Sequence, residues 1–174
     1  MPASYQAPMR QDKIKKNKTL SQTQSTNLSS AKMTVGALLG TKGGGIISIS
    51  PSDTLGRAVE ILRDNGIGAL VVTETDGTLC GILSERDIVR KLADTPGQTL
   101  PKLVEEIMVR KVVTCEPGDD LVSVLKRMRD GRFRHMPVVE NEALVGMVTI
   151  GDVVNYRLAE VEHEALQLKQ LVVG

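Results

Sequence analysis

Pro51-Ser52-Asp53-Thr54-Leu55 returns 66 residues later as Pro117-Gly118-Asp119-Asp120-Leu121. The same apolar rhythm follows each proline: Leu55, Ala58, Val59 and Leu62 in one copy, Leu121, Val124, Leu125 and Met128 in the other. Recurrence at i, i+3, i+4 and i+7 marks a helix with one buried face. Each copy then closes on a glycine, a hydroxyl and a carboxylate. The first reads Gly81-Ile82-Leu83-Ser84-Glu85-Arg86-Asp87 and the second Gly146-Met147-Val148-Thr149-Ile150-Gly151-Asp152. There the offset is 65, so the second hairpin turn is one residue shorter. A duplicated unit of this size buries its apolar face against its twin. One paired core and two related crevices are therefore expected.

Turn and cap signals fill in the rest. Residues 34–39 read as a short helix ended by Gly40 and Gly43-Gly44-Gly45, and 46–49 as a short strand. Residues 54–65 form an amphipathic helix with Asp53 as N-cap and Gly66 as stop. Strands at 69–72 and 79–83 meet at Asp76-Gly77, a hairpin signal, and 85–92 is a short helix. The second copy follows suit: a connecting helix at 103–108, a strand at 112–114, a helix at 121–130, and strands at 136–139 and 144–149 around Asn141. The last helix starts near Ile150 and runs toward Leu171. The fold class is α+β, with two strand–helix–strand–strand–helix units packed as a pseudo-twofold pair. Residues 1–32 read as a disordered basic tail or leader, 33–99 as the first unit with its N-terminal helix, 100–160 as the second unit with its connecting helix, and 161–174 as a C-terminal helix extension.

Charge and composition exclude several classes. Residues 1–32 carry six basic side chains and one acid, which leaves 16 basic and 20 acidic residues in the rest. The folded part is mildly acidic, a poor match for a phosphate polymer. Only Tyr5, Phe133 and Tyr156 are aromatic, too few for the stacking platforms of single-strand binders. No nucleic-acid partner is expected. Nor is a membrane, since no apolar run approaches the length of a span. Cys80 and Cys115 read as reduced core thiols, which suits a cytoplasmic location.

The ordered set of motifs, occurring twice, resembles a tandem pair of cystathionine β-synthase (CBS) domains, the Bateman module. The resemblance rests on the two helix starts at Asp53/Thr54-Leu55 and Asp119/Asp120-Leu121, on Met136-Pro137-Val138-Val139 and Leu144-Val145-Gly146, and on the two closing segments. It covers about residues 33–160 and extends to small stand-alone CBS-pair proteins. It implies a non-enzymatic regulator that binds adenosine-containing ligands (AMP, ADP, ATP, NAD(H) or S-adenosylmethionine) between its units. It also implies a homodimer read by an effector protein. No cofactor is required; the nucleotide is the ligand.

The residues carry this implication unevenly. Ser84/Asp87 and Thr149/Asp152 end a strand and begin a helix, so capping accounts for part of their role. A helix N-terminus also offers amides and a positive dipole to phosphate, and the resemblance adds ribose binding by the aspartates. Arg132 and Arg134 would share one side of a strand, with Phe133 and His135 on the other. The choice there is a phosphate clamp or a solvated basic edge around one core Phe. Arg86 opposes the helix dipole in its first turn, which a bound anion or an ion pair with Asp87 or Glu85 would relieve. For the base, the resemblance implies slots at 46–48 with Ile67 and Ala69, and at 112–114 with Phe133 and Met136, where pattern alone says core. Lys111, Thr114, His135 and Pro137 complete the candidate set. Because Arg132, Arg134 and His135 occur only in the second copy and Arg86 only in the first, the two crevices are expected to differ.

Two rival classes remain. A small oxidoreductase or nucleotide hydrolase would need a G-x-G-x-x-G after a strand, a nucleophile–base pair or a metal cluster, and the sequence offers none of these. Gly40-Thr41-Lys42-Gly43 looks at first like a phosphate loop, but a helix precedes it and a strand follows, the reverse of what that loop needs. The third class is a structural dimerisation module with empty crevices. The last helix, with Leu158, Val161, Ala165, Leu168 and Val172 near heptad spacing, offers a dimer or partner surface, or else a solvated amphipathic tail.

Overall fold

The computed structural model describes residues 33–43 and 45–173; the tail expected at 1–32 lies outside the described residues. Helix α1 (Val35–Lys42) leads into β1 (Ser48–Ile49), α2 (Leu55–Asn65), β2 (Ala69–Thr73), β3 (Leu79–Ser84) and α3 (Glu85–Asp94). A 3-10 turn at Val104–Glu106 precedes α4 (Leu121–Gly131), β4 (His135–Glu140), β5 (Ala143–Thr149) and α5 (Ile150–Val173). Strand β1 pairs parallel with β2, and β2 antiparallel with β3. Strands β4 and β5 repeat the antiparallel hairpin. Helices packed over small sheets make the fold α+β.

Several local expectations change. The strand expected at 112–114 does not form, and Cys115 alone bridges Val138. In the first unit β1 pairs Ser48 with Val71 and Ile49 with Val72. The second unit has Pro137 at the place of Val71, and proline has no amide to extend the ladder. The connecting helix expected at 103–108 contracts to the 3-10 turn, whose Val104 and Glu105 amides donate outward to the Asp53 and Pro51 carbonyls at 2.9 and 3.0 Å. Helix α1 runs through Gly40 and stops at Lys42. The N-cap of α2 is Thr54, whose hydroxyl accepts from the Arg57 amide at 3.2 Å, while Asp53 accepts from the Ser50 amide one turn earlier. Arg132 is not on a strand: it is the C-cap of α4, in the left-handed conformation at φ 57°.

The packing is crossed relative to chain order. Helix α1 lies at the start of the first unit, yet Val35 and Leu38 enter the second core beside Leu121, Val124, Met128 and Met136. Val104 and Met108 lie at the start of the second unit, yet they enter the first core beside Leu55, Leu62, Leu70 and Leu83. Backbone bonds fix both dockings alike. The Leu121 amide donates to the Met33 carbonyl at 2.9 Å, and the Leu55 amide to the Lys102 carbonyl at 2.8 Å. Fully burying one such aliphatic side chain contributes about 2 kcal/mol, so the swapped segments tie the two units together.

This crossing explains the repeated glycine before each hydroxyl. A Cβ on Gly81 would lie 2.6 Å from the Met108 sulfur, and one on Gly146 would lie 2.9 Å from both Leu39 methyls. The glycine is there because the docked segment crosses the strand closely. Val153 is buried and Tyr156 still packs partly against the second core; beyond it α5 leaves the core, and Leu158 and Val161 are each more than half exposed.

Candidate functional site

Two cavities open between the units. The first, of about 460 Å³, has an apolar wall of Ile82, Val109, Val112, Val113 and Phe133. The start of α3 supplies Ser84, Arg86, Asp87 and, one turn on, Arg90. The end of α4 and the entry to β4 supply Arg132, Arg134 and His135, and Lys111 comes from the linking segment. The second cavity, of about 300 Å³, has Ile46, Ile47, Ile67 and Ala69 as its apolar wall and Thr149 and Asp152 at the start of α5. Lys42 at the end of α1 closes one side of it. Each cavity therefore joins the apolar slot of one unit to the hydroxyl and carboxylate of the other.

The two helix starts share one design. In α3 the Asp87 carboxylate accepts from the Ser84 amide at 3.0 Å and, through the same oxygen, from the Ser84 hydroxyl. In α5 the Asp152 carboxylate accepts from the Thr149 amide at 2.9 Å, and the Thr149 hydroxyl accepts from the Asp152 amide at 3.1 Å. Each start is also pinned to the hairpin beside it. The Glu85 amide donates to the Gly68 carbonyl and the Ile150 amide to the Arg134 carbonyl, both at 3.0 Å. All four hydrogen bonds to the Asp87 and Asp152 carboxylates, three from their own cap residues and one from Lys42, use Oδ2. Oδ1 of each faces no donor among the described residues. A cis-diol needs just such a free carboxylate oxygen.

Electrostatically the cavities diverge. In the second, Lys42 donates to Asp152 at 2.6 Å and to the Met147 carbonyl at 3.2 Å. Burial pushes the Asp152 carboxyl up, but Lys42 and the Thr149 amide and hydroxyl outweigh it and hold the group below the usual carboxylate range. In the first, Arg86 reaches across from one unit to the other, donating to the Arg132 carbonyl at 3.2 Å. His135 borders both cavities and faces Gly68, where an added Cβ would lie 3.3 Å from the ring. Burial holds its imidazole below the ordinary value, against the pull of Glu85 in the other direction.

Of the residues singled out in the sequence, Ser84, Arg86, Asp87, Lys111, Arg132, Arg134 and His135 converge on one cavity. The reading by copies had divided Arg86 from Arg132 and Arg134. The pseudo-twofold packing unites them, because the helix start of one unit faces the hairpin entry of the other. Ile67, Thr149 and Asp152 border the second cavity, with His135 shared. Thr114, Met136 and Pro137 border neither. The Thr114 carbonyl accepts from Arg127, Met136 is fully buried in the second core, and the Pro137 carbonyl accepts from the Cys115 amide. Arg90 and Lys42 also border the cavities, Arg90 outside the candidate set and Lys42 in the stretch set aside as a phosphate loop. Arg90 had a signal, since it lies four residues after Arg86 and so on the same helix face. The pairing of Lys42 had none, because its partner Asp152 is 110 residues away.

Burial pushes the Cys115 thiol up to about 11 and raises that of Cys80, the wrong direction for a nucleophile. No metal-binding group of three or more side chains occurs among the described residues. No helix among them is long and apolar enough to cross a membrane.

Comparison with known proteins agrees with this architecture. The family described as CBS domain matches residues 43–94 and again 104–159. A curated relative, the mitochondrial CBS domain-containing protein CBSX3 of Arabidopsis thaliana, is 33% identical over 126 residues, covering 70% of this chain and 61% of that protein. The chain thus spans less than two thirds of that relative's length. The crystal structure of a CBS-domain-containing protein from Agrobacterium tumefaciens is 38% identical with a TM-score of 0.71, covering 72% of this chain and 99% of that one. A CBS domain pair solved with 5′-methylthioadenosine and S-adenosyl-L-methionine is 27% identical with a TM-score of 0.65, covering 74% and 98%. CBSX2 solved in complex with AMP is 25% identical with a TM-score of 0.60, covering 72% and 96%.

Proposed function

This chain belongs to the CBS-domain family, as a tandem pair, and on that premise we propose that it is a non-enzymatic regulatory module for adenosine-containing nucleotides. The observation that carries the reading is the construction of each cavity from both units: an apolar slot from one, a capped helix start with a free carboxylate oxygen from the other. A nucleoside lying in such a cavity touches both units at once. Its base lies against the aliphatic wall, its ribose hydroxyls donate to Oδ1 of Asp87 or Asp152, and its phosphate meets the helix N-terminus. Two related structures hold adenosine-containing ligands, which supports this class of molecule.

Regulation follows from the same geometry. A ligand that contacts both units favours one packing of the pair over others by its differential affinity, typically about 1–3 kcal/mol. A homodimer and an effector protein that reads the packing belong to the proposal. Val89 on α3 and Val154, Leu158 and Val161 on α5 are exposed apolar side chains that suit such surfaces. The test is calorimetry with AMP, ATP, NADH and S-adenosylmethionine on protein stripped of nucleotide, with light scattering for the dimer. Binding at micromolar to millimolar concentration is expected. Absence of heat from every ligand at millimolar concentration refutes the reading.

A further inference from the structure

We propose that the first cavity takes an anion of two or more linked phosphates, as in a nucleoside di- or triphosphate, and that the second cavity does not. The inference rests on the nucleotide reading above and adds the ligand's charge and its place.

Three observations carry it. The first is the pairing of the arginines. Among the described residues Arg57, Arg63, Arg110, Arg127, Arg129 and Arg157 each have a carboxylate partner. The four arginines without one are Arg86, Arg90, Arg132 and Arg134, and all four border the first cavity, with Lys111 beside them. Five cations face only Glu85 and Asp87 there, and neither acid forms an ion pair with them. Like charges gathered around one concavity repel each other and focus a positive potential into it. A single phosphate engages one or two of these guanidinium forks, whereas a phosphate chain reaches from the α3 face to the α4 end.

The second observation is backbone strain. Arg132 holds φ 57° and ψ 33°, where the first unit has Gly66 at φ 61° and ψ 36°. A side chain at a left-handed cap opposes the local preference for glycine. Its position at the cavity edge matches the rule that such strain collects where a side chain has work to do. The third is the contrast with the second cavity. That cavity is bordered by one cation, Lys42, and one acid, Asp152, already paired with each other. A phosphate chain finds no unpaired cation there.

The test titrates the full chain with AMP, ATP and inorganic triphosphate, without magnesium and at fixed salt, using the wild type and an Arg90→Gln/Arg134→Gln double variant. Both positions are exposed, and circular dichroism verifies the fold. In the wild type ATP should bind at least about tenfold more tightly than AMP, with one ATP per chain, and triphosphate should compete with it. In the double variant ATP affinity should fall further than AMP affinity, so that the preference for ATP drops to about threefold or less. Equal wild-type affinities for AMP and ATP, or a preference that survives both substitutions, overturns the inference and leaves the nucleotide reading standing. Binding of triphosphate alone, lost in the double variant, upholds the anion site and overturns the nucleotide reading. No binding by any of the three overturns both.

Discussion

Replacing Arg132 with glycine should make the protein more stable. Arg132 caps α4 in the left-handed conformation, its amide donating to the Arg129 carbonyl at 3.2 Å. A residue with a Cβ pays about 1–2 kcal/mol for that conformation. Glycine relieves this but gains freedom in the unfolded chain, which offsets about 0.4–1 kcal/mol. The net gain is centred on about 0.8 kcal/mol. For a domain of this size that is a rise in Tm of about 1–4 °C. The Arg86 bond to residue 132 survives because its acceptor is a backbone carbonyl. The control is Arg132→Ala, which removes the same guanidinium but keeps the Cβ, and so should show no gain. Thermal melts followed by circular dichroism on ligand-free protein measure both. An Arg132→Gly variant that melts at or below Arg132→Ala refutes the strain argument. Removing the guanidinium should also weaken ATP binding about tenfold in either variant, the size of one charge-assisted hydrogen bond. Stability and binding would then move in opposite directions at one residue.

Two other expectations follow from the packing and the burial. Gly146→Ala places a Cβ 2.9 Å from both Leu39 methyls and should destabilise by about 1–3 kcal/mol in urea unfolding; adding Leu39→Ala should recover part of the loss relative to Leu39→Ala alone, and simple additivity would show that α1 does not cross there. His135 is held neutral by burial, with Glu85 and Asp152 opposing and Lys42 and Arg134 assisting. Its folded pKa is depressed, so the unfolded chain takes up the proton first: stability is full above about pH 6.5 and falls as pH drops through the folded value. Urea midpoints taken from about pH 7.5 down to about pH 5.5 should show this fall in the wild type and a flatter profile in His135→Gln. Equal slopes remove His135 as its source.

The elements that could be read from the chain were those set by local signals. Helix α2 was legible from its apolar spacing and Gly66, and the β2–β3 hairpin from Asp76-Gly77. The β4–β5 turn was legible at Asn141, where Asn141 and Glu142 both hold positive φ. The missing strand at 112–114 was not legible, because its failure lies in a distant partner, Pro137. The surroundings of the Met136 side chain were not legible for a related reason: periodicity tells which face a residue occupies, not whether that face meets a cavity or a core. Its full burial answers that.

The sequence by itself determined that there are two units, that each ends a strand on a hydroxyl and opens a helix with a carboxylate, and that their charges differ. These are properties of short stretches, and spacing along the chain is enough to specify them. Only the tertiary structure decided which slot faces which carboxylate. It crossed α1 and the 100–108 segment between the cores, and brought Arg86 and Arg90 to Arg132 and Arg134. That outcome depends on how two apolar faces dock about a pseudo-twofold axis. The repeat therefore told of two sites, and the docking made one of them basic and left the other nearly neutral.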